Sequence, residues 1–189
     1  MLAVSTQKGG TQLFDTRRVT ARGSWLNTNE TILSLAFTPD GGTLIAGDGV
    51  GDVELFDAAT RAPIGTLPGD GDTIYEAVAS PDGRTIATAD SGGTLRLWDL
   101  ATEQQLGLAV PLGSVIYGAS FSGGTPQRLV TADMGGEIVV WPEPLFATGL
   151  APFQHDLCPR LSQNLSRLQW RDEVSPDQPY RATCPELPR

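Results

Sequence analysis

The chain has 189 residues, of which 22 are acidic and 13 basic, and its net charge of −9 argues against a nucleic-acid partner because it repels phosphate backbones. No apolar run approaches the ~20 residues of a membrane span, and no charged segment followed by a long apolar stretch opens the sequence, so we expect a cytoplasmic protein without membrane association. A hydrophobic share of 40% with 22 Gly and 14 Pro favours many short strands over long helices.

Four aromatic residues recur along the chain at steps of 42, 42 and 43 residues. They are Phe14, Phe56, Trp98 and Trp141, and an aspartate follows the first three (Asp15, Asp57 and Asp99). A fixed period of this length indicates that one supersecondary unit is repeated. We therefore interpret all seven residues as structural repeat positions, with the aromatics in the core.

Each unit contains short apolar segments separated by turns rich in Asp, Gly and Pro. The predicted strands are, in chain order, Leu33–Phe37, a pair within 44–57, Pro63–Leu67, Ile74–Ala79, a pair within 86–99, Gln104–Val110, Tyr117–Phe121 and a pair within 129–141. Apolar and polar residues alternate in these segments with the period of two that strands require. Four antiparallel strands per ~42 residues make one blade of a β-propeller.

Three aspartates occupy the same place in successive units, in the turn within each strand pair. They are Asp48, Asp90 and Asp133. An aspartate in a turn accepts hydrogen bonds from nearby backbone amides, and this stabilises the turn. We therefore predict a structural role for these three residues.

Three segments of the repeat resemble the WD40 family: Ser80-Pro81-Asp82-Gly83, Asp90-Ser91-Gly92-Gly93 and Leu95-Arg96-Leu97-Trp98-Asp99. The resemblance covers about residues 1–142. Blades of that family often carry a Gly-His dipeptide whose histidine joins a hydrogen-bond network with Ser, Asp and Trp. The single histidine of this chain, His155, lies outside the repeats. We therefore expect these blades to depend on packing and turn chemistry.

The repeat is incomplete at both ends. Leu2 aligns with Leu44, which places the first residues in the second strand of a blade, and Pro142 and Pro144 discourage pairing beyond Trp141. We predict an all-β fold for residues 1–142: a partial, open WD40-type β-propeller of two full and two partial four-stranded blades. We expect the chain to be the C-terminal part of a longer protein. The alternatives are self-association that supplies the missing blades, and a distorted four-bladed ring.

Residues 143–189 form a proline-rich extension in which the repeat is lost. Ser166 and Gln169 have the spacing of a capping box, and Leu165 and Trp170 have that of a hydrophobic staple, which predicts a short helix. A second helical turn is predicted after Asp156.

Two cysteines, Cys158 and Cys184, bracket the predicted helix. They form either a disulfide that fastens the tail or a pair of buried, reduced side chains.

The tail is also similar to the closing segment of many large bacterial WD40 proteins. The similar residues are Asn164-Leu165-Ser166, Trp170 and Tyr180-Arg181-Ala182-Thr183-Cys184-Pro185. Such proteins often carry a STAND-type NTPase, a kinase or another signalling module before the propeller. The resemblance implies the C-terminal region of a multidomain signalling or sensor protein, and it implies no particular ligand.

Six loop aspartates supply the candidate binding surface. In the WD40 arrangement, the loops after second strands and after fourth strands share one face, which would carry Asp48, Asp52, Asp70, Asp72, Asp90 and Asp133. Asp52, Asp70 and Asp72 do not recur at repeat spacing, so we predict that they bind a protein or peptide, preferably a basic one. A calcium loop and solvated turn aspartates are the alternatives.

No arrangement of residues in the sequence points to catalysis, a cofactor or a metal. His155 with the two cysteines lacks a fourth ligand for zinc, and a cysteine nucleophile would need an orienting group that the sequence does not show. We therefore predict a non-catalytic interaction scaffold. A purely structural propeller fragment, a propeller-type hydrolase and a calcium-binding module remain alternatives.

Overall fold

The computed structural model describes residues 1–6, 10–23, 26, 28, 30–123 and 127–141, all within the first of two units, Met1–Pro142. The described residues form four antiparallel sheets, and no helix occurs among them. The predicted helix at Ser166 and the cysteine pair, Cys158 and Cys184, lie outside the described residues.

The strands follow one another within each sheet in chain order. Sheet 1 contains β1 (Leu2–Ser5), β2 (Thr11–Asp15) and β3 (Thr20–Ala21); sheet 2 contains β4 (Ile32–Phe37), β5 (Thr43–Asp48), β6 (Val53–Asp57) and β7 (Pro63–Leu67). Sheet 3 contains β8 (Ile74–Ala79), β9 (Thr85–Asp90), β10 (Thr94–Asp99) and β11 (Gln104–Gln105), and sheet 4 contains β13 (Ile116–Phe121), β14 (Leu129–Asp133) and β15 (Ile138–Trp141). The predicted all-β fold is confirmed, and the antiparallel sheets are consistent with WD40 blades.

The fourth strand of sheet 3 differs from the prediction of one strand over Gln104–Val110. It consists of two short pieces, β11 and β12 (Val110–Pro111), which pair with opposite ends of β10. Gly107 lies between the two pieces with a φ of 70°, a left-handed conformation that interrupts an extended strand.

The four sheets pack face to face in chain order, since the innermost strands β4, β8 and β13 contact one another in sequence and β1 contacts β4. Alternate residues of a strand point to opposite faces of its sheet. We call the face toward the next sheet the forward face and the opposite one the backward face. Between sheets 2 and 3, Val53 and Leu55 of the forward face pack with Ile86 and Trp98 of the backward face.

The repeated aromatic residues lie on the backward faces, and their neighbours depend on the ring type. Trp98 Nε1 donates a hydrogen bond to Thr88 Oγ1 at 3.0 Å, and Trp141 Nε1 donates one to Thr131 Oγ1 at 2.9 Å. The strand registers place Ala46 at the equivalent position beside Phe56, and Val4 beside Phe14. A hydroxyl is therefore present only where the aromatic ring has an N–H, so the blades use a buried polar bond in addition to packing and turn chemistry.

This pairing predicts a compensating effect between Trp98 and Thr88. Trp98→Phe leaves the buried Thr88 hydroxyl without its donor, and Thr88→Ala leaves the indole N–H without its acceptor, each at a cost of about 1–3 kcal/mol. The double variant reproduces the Phe56–Ala46 pair of sheet 2, so we expect its cost to be smaller than the sum of the single costs. Urea unfolding of the four proteins measures this coupling, and strictly additive costs would contradict it.

The aspartates that follow the aromatics close the turns after β2, β6 and β10. Asp57 Oδ1 accepts hydrogen bonds from the backbone N–H and the hydroxyl of Thr60, and Asp99 Oδ1 does the same with Thr102. These bonds favour the ionised form and hold the pKa of both carboxyls below its ordinary value. Asp15 Oδ1 accepts hydrogen bonds from the backbone N–H groups of Arg17 and Arg18.

Candidate functional site

Three chain segments lie side by side at one end of sheets 2 and 3: the β5–β6 turn, the β7–β8 connection and the β9–β10 turn. Gly69 N donates to Asp52 Oδ1 at 3.0 Å, and Thr73 Oγ1 donates to the carbonyl of Gly49 at 2.9 Å. Ser91 Oγ donates to Asp72 Oδ1 at 3.5 Å. We call this surface the acidic loop face, defined by Asp48, Asp52, Asp70, Asp72 and Asp90.

The recurring aspartates make the same hydrogen bond in three sheets. The Oδ1 atoms of Asp48, Asp90 and Asp133 each accept the backbone N–H four residues further along, at 2.8 Å in all three turns. Asp48 and Asp90 are buried, and Asp133 is half-buried in the β14–β15 turn of sheet 4. Each carboxylate thus holds the end of one strand to the start of the next.

A close backbone approach fixes the β7–β8 connection against the β5–β6 turn. A Cβ atom placed on Gly69 would lie 1.7 Å from the carbonyl oxygen of Gly51, so a larger residue has no room. Because the obstacle is backbone, no side-chain rotation relieves it. This contact brings Asp52 to the same edge as Asp70 and Asp72.

Arg96, a residue of β10 that the sequence analysis did not select, connects two of the aspartates. Its side chain is 9% exposed, and the guanidinium donates from Nη1 to Asp90 Oδ2 at 2.5 Å and from Nη2 to Asp70 Oδ2. Asp90 is completely buried, whereas Asp70 is exposed. Arg96 therefore anchors the exposed β7–β8 connection to the interior of sheet 3.

Opposing influences act on the carboxyl of Asp70. Burial raises its pKa, but the N–H of Asp72 and the guanidinium of Arg96 outweigh burial and hold the pKa below its ordinary value. Asp70 is thus an ionised member of a local network.

The three predicted binding aspartates differ in how much of each carboxylate is engaged. Both oxygens of Asp70 accept hydrogen bonds, from Asp72 N and from Arg96. Within the described ranges, the bonds to Asp52 and Asp72 involve Oδ1 alone, and Asp72 is exposed. Asp52, which is half-buried, and Asp72 therefore each have one carboxylate oxygen that accepts no hydrogen bond within these ranges.

An apolar row follows the acidic loop face along the innermost strands. Leu33, Tyr75 and Tyr117 occupy the same position, each at a β-bulge in its strand. Leu33 and Tyr117 are exposed, and the rings of Tyr75 and Tyr117 lie with centroids 5.0 Å apart at 41°. Half-buried Glu76 follows Tyr75, and burial raises its pKa. Aromatic surface and carboxylates thus adjoin one another.

The described part of the chain contains no group of three or more His, Cys, Asp or Glu side chains that would hold a metal ion, and no helix there is long and apolar enough to cross a membrane. A cavity of about 200 Å³ is lined by Arg22, Gly23, Ala58, Ala59 and Arg61, away from the predicted binding aspartates. The acidic loop face is a surface of turns.

One comparison with known proteins matches part of the repeat. Residues 61–99 match the family model described as WD domain, G-beta repeat, which covers the end of sheet 2 and the first three strands of sheet 3. The match supports the resemblance to the WD40 family over this stretch. A comparison with curated proteins gives no match.

Proposed function

We propose that this protein is a non-catalytic interaction scaffold whose acidic loop face binds a basic peptide or the basic surface of a protein. The observation that carries the proposal is the convergence of three loops that bring five carboxylates to one surface, where the guanidinium of Arg96 pairs with two of them, Asp70 and Asp90. WD40 repeats generally mediate protein interactions, and the match over residues 61–99 supports this class of function.

The geometry suits recognition of cations by charge and by contact area. The turns are fixed by hydrogen bonds to the ends of strands, so little ordering entropy is lost when a partner binds. Asp52 and Asp72 supply oxygens for Lys or Arg side chains, and the exposed ring of Tyr117 supplies a π-face for the same groups. Attraction of this kind accelerates association and weakens as salt increases.

The test neutralises two aspartates without disturbing the Arg96 pairs. Asp52→Asn with Asp72→Asn is expected to weaken the binding of a short Arg/Gly peptide by about 2- to 30-fold at low salt, since each exposed ion pair contributes about 0.2–1 kcal/mol. The salt dependence of the dissociation constant should decrease in parallel. Titration calorimetry or fluorescence anisotropy measures both quantities.

A matched control removes the same charge at the opposite ends of the strands. The variant Asp15→Asn with Glu103→Gln changes two carboxylates in the turns that follow β2 and β10, and it should leave peptide binding unchanged. Equal affinity of the wild type and the Asp52/Asp72 variant would contradict the proposal. If the control variant weakens peptide binding as much as the Asp52/Asp72 variant does, the effect comes from net charge in general and not from the acidic loop face.

We further propose that the scaffold serves in a larger bacterial signalling protein. The resemblance of residues 157–188 to the closing segment of such proteins supports this context. The acidic loop face would there act as the sensor or docking surface, while the upstream signalling module supplies the chemistry.

A further inference from the structure

The forward face of sheet 4 exposes apolar residues that the repeat buries elsewhere. Ile138 is 69% exposed, whereas Leu95 at the same position in sheet 3 is 2% exposed. Val140 is 53% exposed, whereas its equivalent Leu97 is 7% exposed. The side chains are aliphatic in both sheets, so the sequence supplies a packing face in sheet 4 that the described residues do not cover.

The backward face of sheet 1 shows the complementary situation. Leu2 is 51% exposed and Val4 is 40% exposed, whereas Leu44, the equivalent of Leu2 in sheet 2, is completely buried. Leu44 is buried because the forward face of sheet 1, with Leu13, packs on it. Sheet 1 thus exposes an apolar backward face, and in the interior of the chain such a face packs against the forward face of the preceding sheet.

The interfaces inside the chain show what such faces bind. In the cores between sheets 1 and 2 and between sheets 2 and 3, aliphatic residues of one forward face pack on the aliphatic and aromatic residues of the next backward face. The same pairing occurs twice in succession, between sheets 1 and 2 and between sheets 2 and 3. A further pairing of this kind would bury Ile138 and Val140 of one chain against Leu2 and Val4 of another.

We propose that the forward face of sheet 4 binds the backward face of sheet 1 in a second copy of this chain. The contact is heterologous, because two different surfaces meet, and it repeats the stacking already present between the sheets. Stacking of this kind keeps all sheets in the same orientation. The acidic loop faces of the two copies therefore lie on the same side of the assembly, which adds multivalency to the binding proposed above.

Two single substitutions and their mixture test the head-to-tail geometry in the full 189-residue chain. Ile138→Asp blocks the forward face, and Leu2→Asp blocks the backward face. Sedimentation velocity over a range of micromolar concentrations should show association of the wild type and monomers for each variant alone. An equimolar mixture should form a 1:1 heterodimer, because each variant keeps the face that the other lacks.

Each other outcome overturns the proposal. A wild type that stays monomeric at the highest concentration shows that the faces do not bind each other, and a single variant that associates like the wild type shows another contact. An equimolar mixture of the two variants that stays monomeric excludes a specific head-to-tail interface. The same holds if the wild type forms aggregates of many sizes and the mixture forms no heterodimer. Circular dichroism verifies folding, and Val140→Asp with Val4→Asp repeats the test with independent substitutions.

Discussion

Replacement of Arg96 by methionine is expected to lower the free energy of unfolding by about 3–5 kcal/mol, the cost of removing one partner from a buried ion pair. The substitution leaves Asp90, which is completely buried, with a carboxylate whose Oδ2 has lost its donor. Methionine keeps most of the length and apolar surface of the arginine stem, so the loss reflects charge more than packing. Urea unfolding at neutral pH measures the difference.

Two further variants separate the buried pair from the exposed one. Asp70→Asn removes the partner whose side chain is 45% exposed and should cost no more than about 1 kcal/mol. Arg96→Met combined with Asp90→Asn leaves no unpaired buried charge, so the double variant should be more stable than Arg96→Met alone. A loss below about 1 kcal/mol for Arg96→Met would contradict a structural role for this pair.

The connection between Arg96 and the β7–β8 loop also links stability to the proposed binding. Arg96 engages Asp70, whose neighbour Asp72 is one of the two aspartates with an oxygen available to a partner. Arg96→Met removes this tie to sheet 3, while the bond from Ser91 Oγ to Asp72 Oδ1 remains. Arg96→Met also removes a positive charge from the acidic loop face, whereas Asp70→Asn removes a negative one, so Arg96→Met should bind a basic peptide more tightly than Asp70→Asn.

The fold could be predicted from local patterns because a repeat of 42 residues samples the same pattern several times. Alternation in segments such as Val53–Phe56 fixes which residues face the core, and Asp with Gly fixes the turns. The interruption at Gly107 escaped prediction because a single glycine between Leu106 and Leu108 does not by itself mark the end of a strand. The Thr88–Trp98 bond was readable in principle, since a threonine stands beside each of the two repeat tryptophans and an apolar residue beside each repeat phenylalanine.

The candidate site was predictable only where its chemistry is local. Asp48 and Asp90 bond to backbone groups a few residues away, and the turn sequence indicates such bonds. Arg96 bonds to Asp70, which is 26 residues away, and this contact depends on how the β7–β8 connection crosses sheet 3. Its signal in the sequence was weak: a charged residue between two buried leucines.

Equivalent residues of the repeat should differ in their contribution to stability according to what covers them. Leu95→Ala removes a side chain that is 2% exposed and is expected to lower the free energy of unfolding by about 2–5 kcal/mol. Ile138→Ala deletes the same number of carbon atoms from a side chain that is 69% exposed, so in dilute solution its cost should stay within about 1 kcal/mol. Urea unfolding of both variants at low protein concentration provides the comparison.

The stability difference between the wild type and each variant should also depend on protein concentration if two copies associate through Ile138. If a second copy covers Ile138, the wild type gains stability as the protein concentration rises, while Ile138→Ala gains less because its interface is weaker. Leu95→Ala keeps the interface, so its deficit relative to the wild type should stay constant. An Ile138→Ala deficit as large as that of Leu95→Ala in dilute monomer would show that this face is already covered within one chain, and the exposed apolar face would then not be available to a second copy.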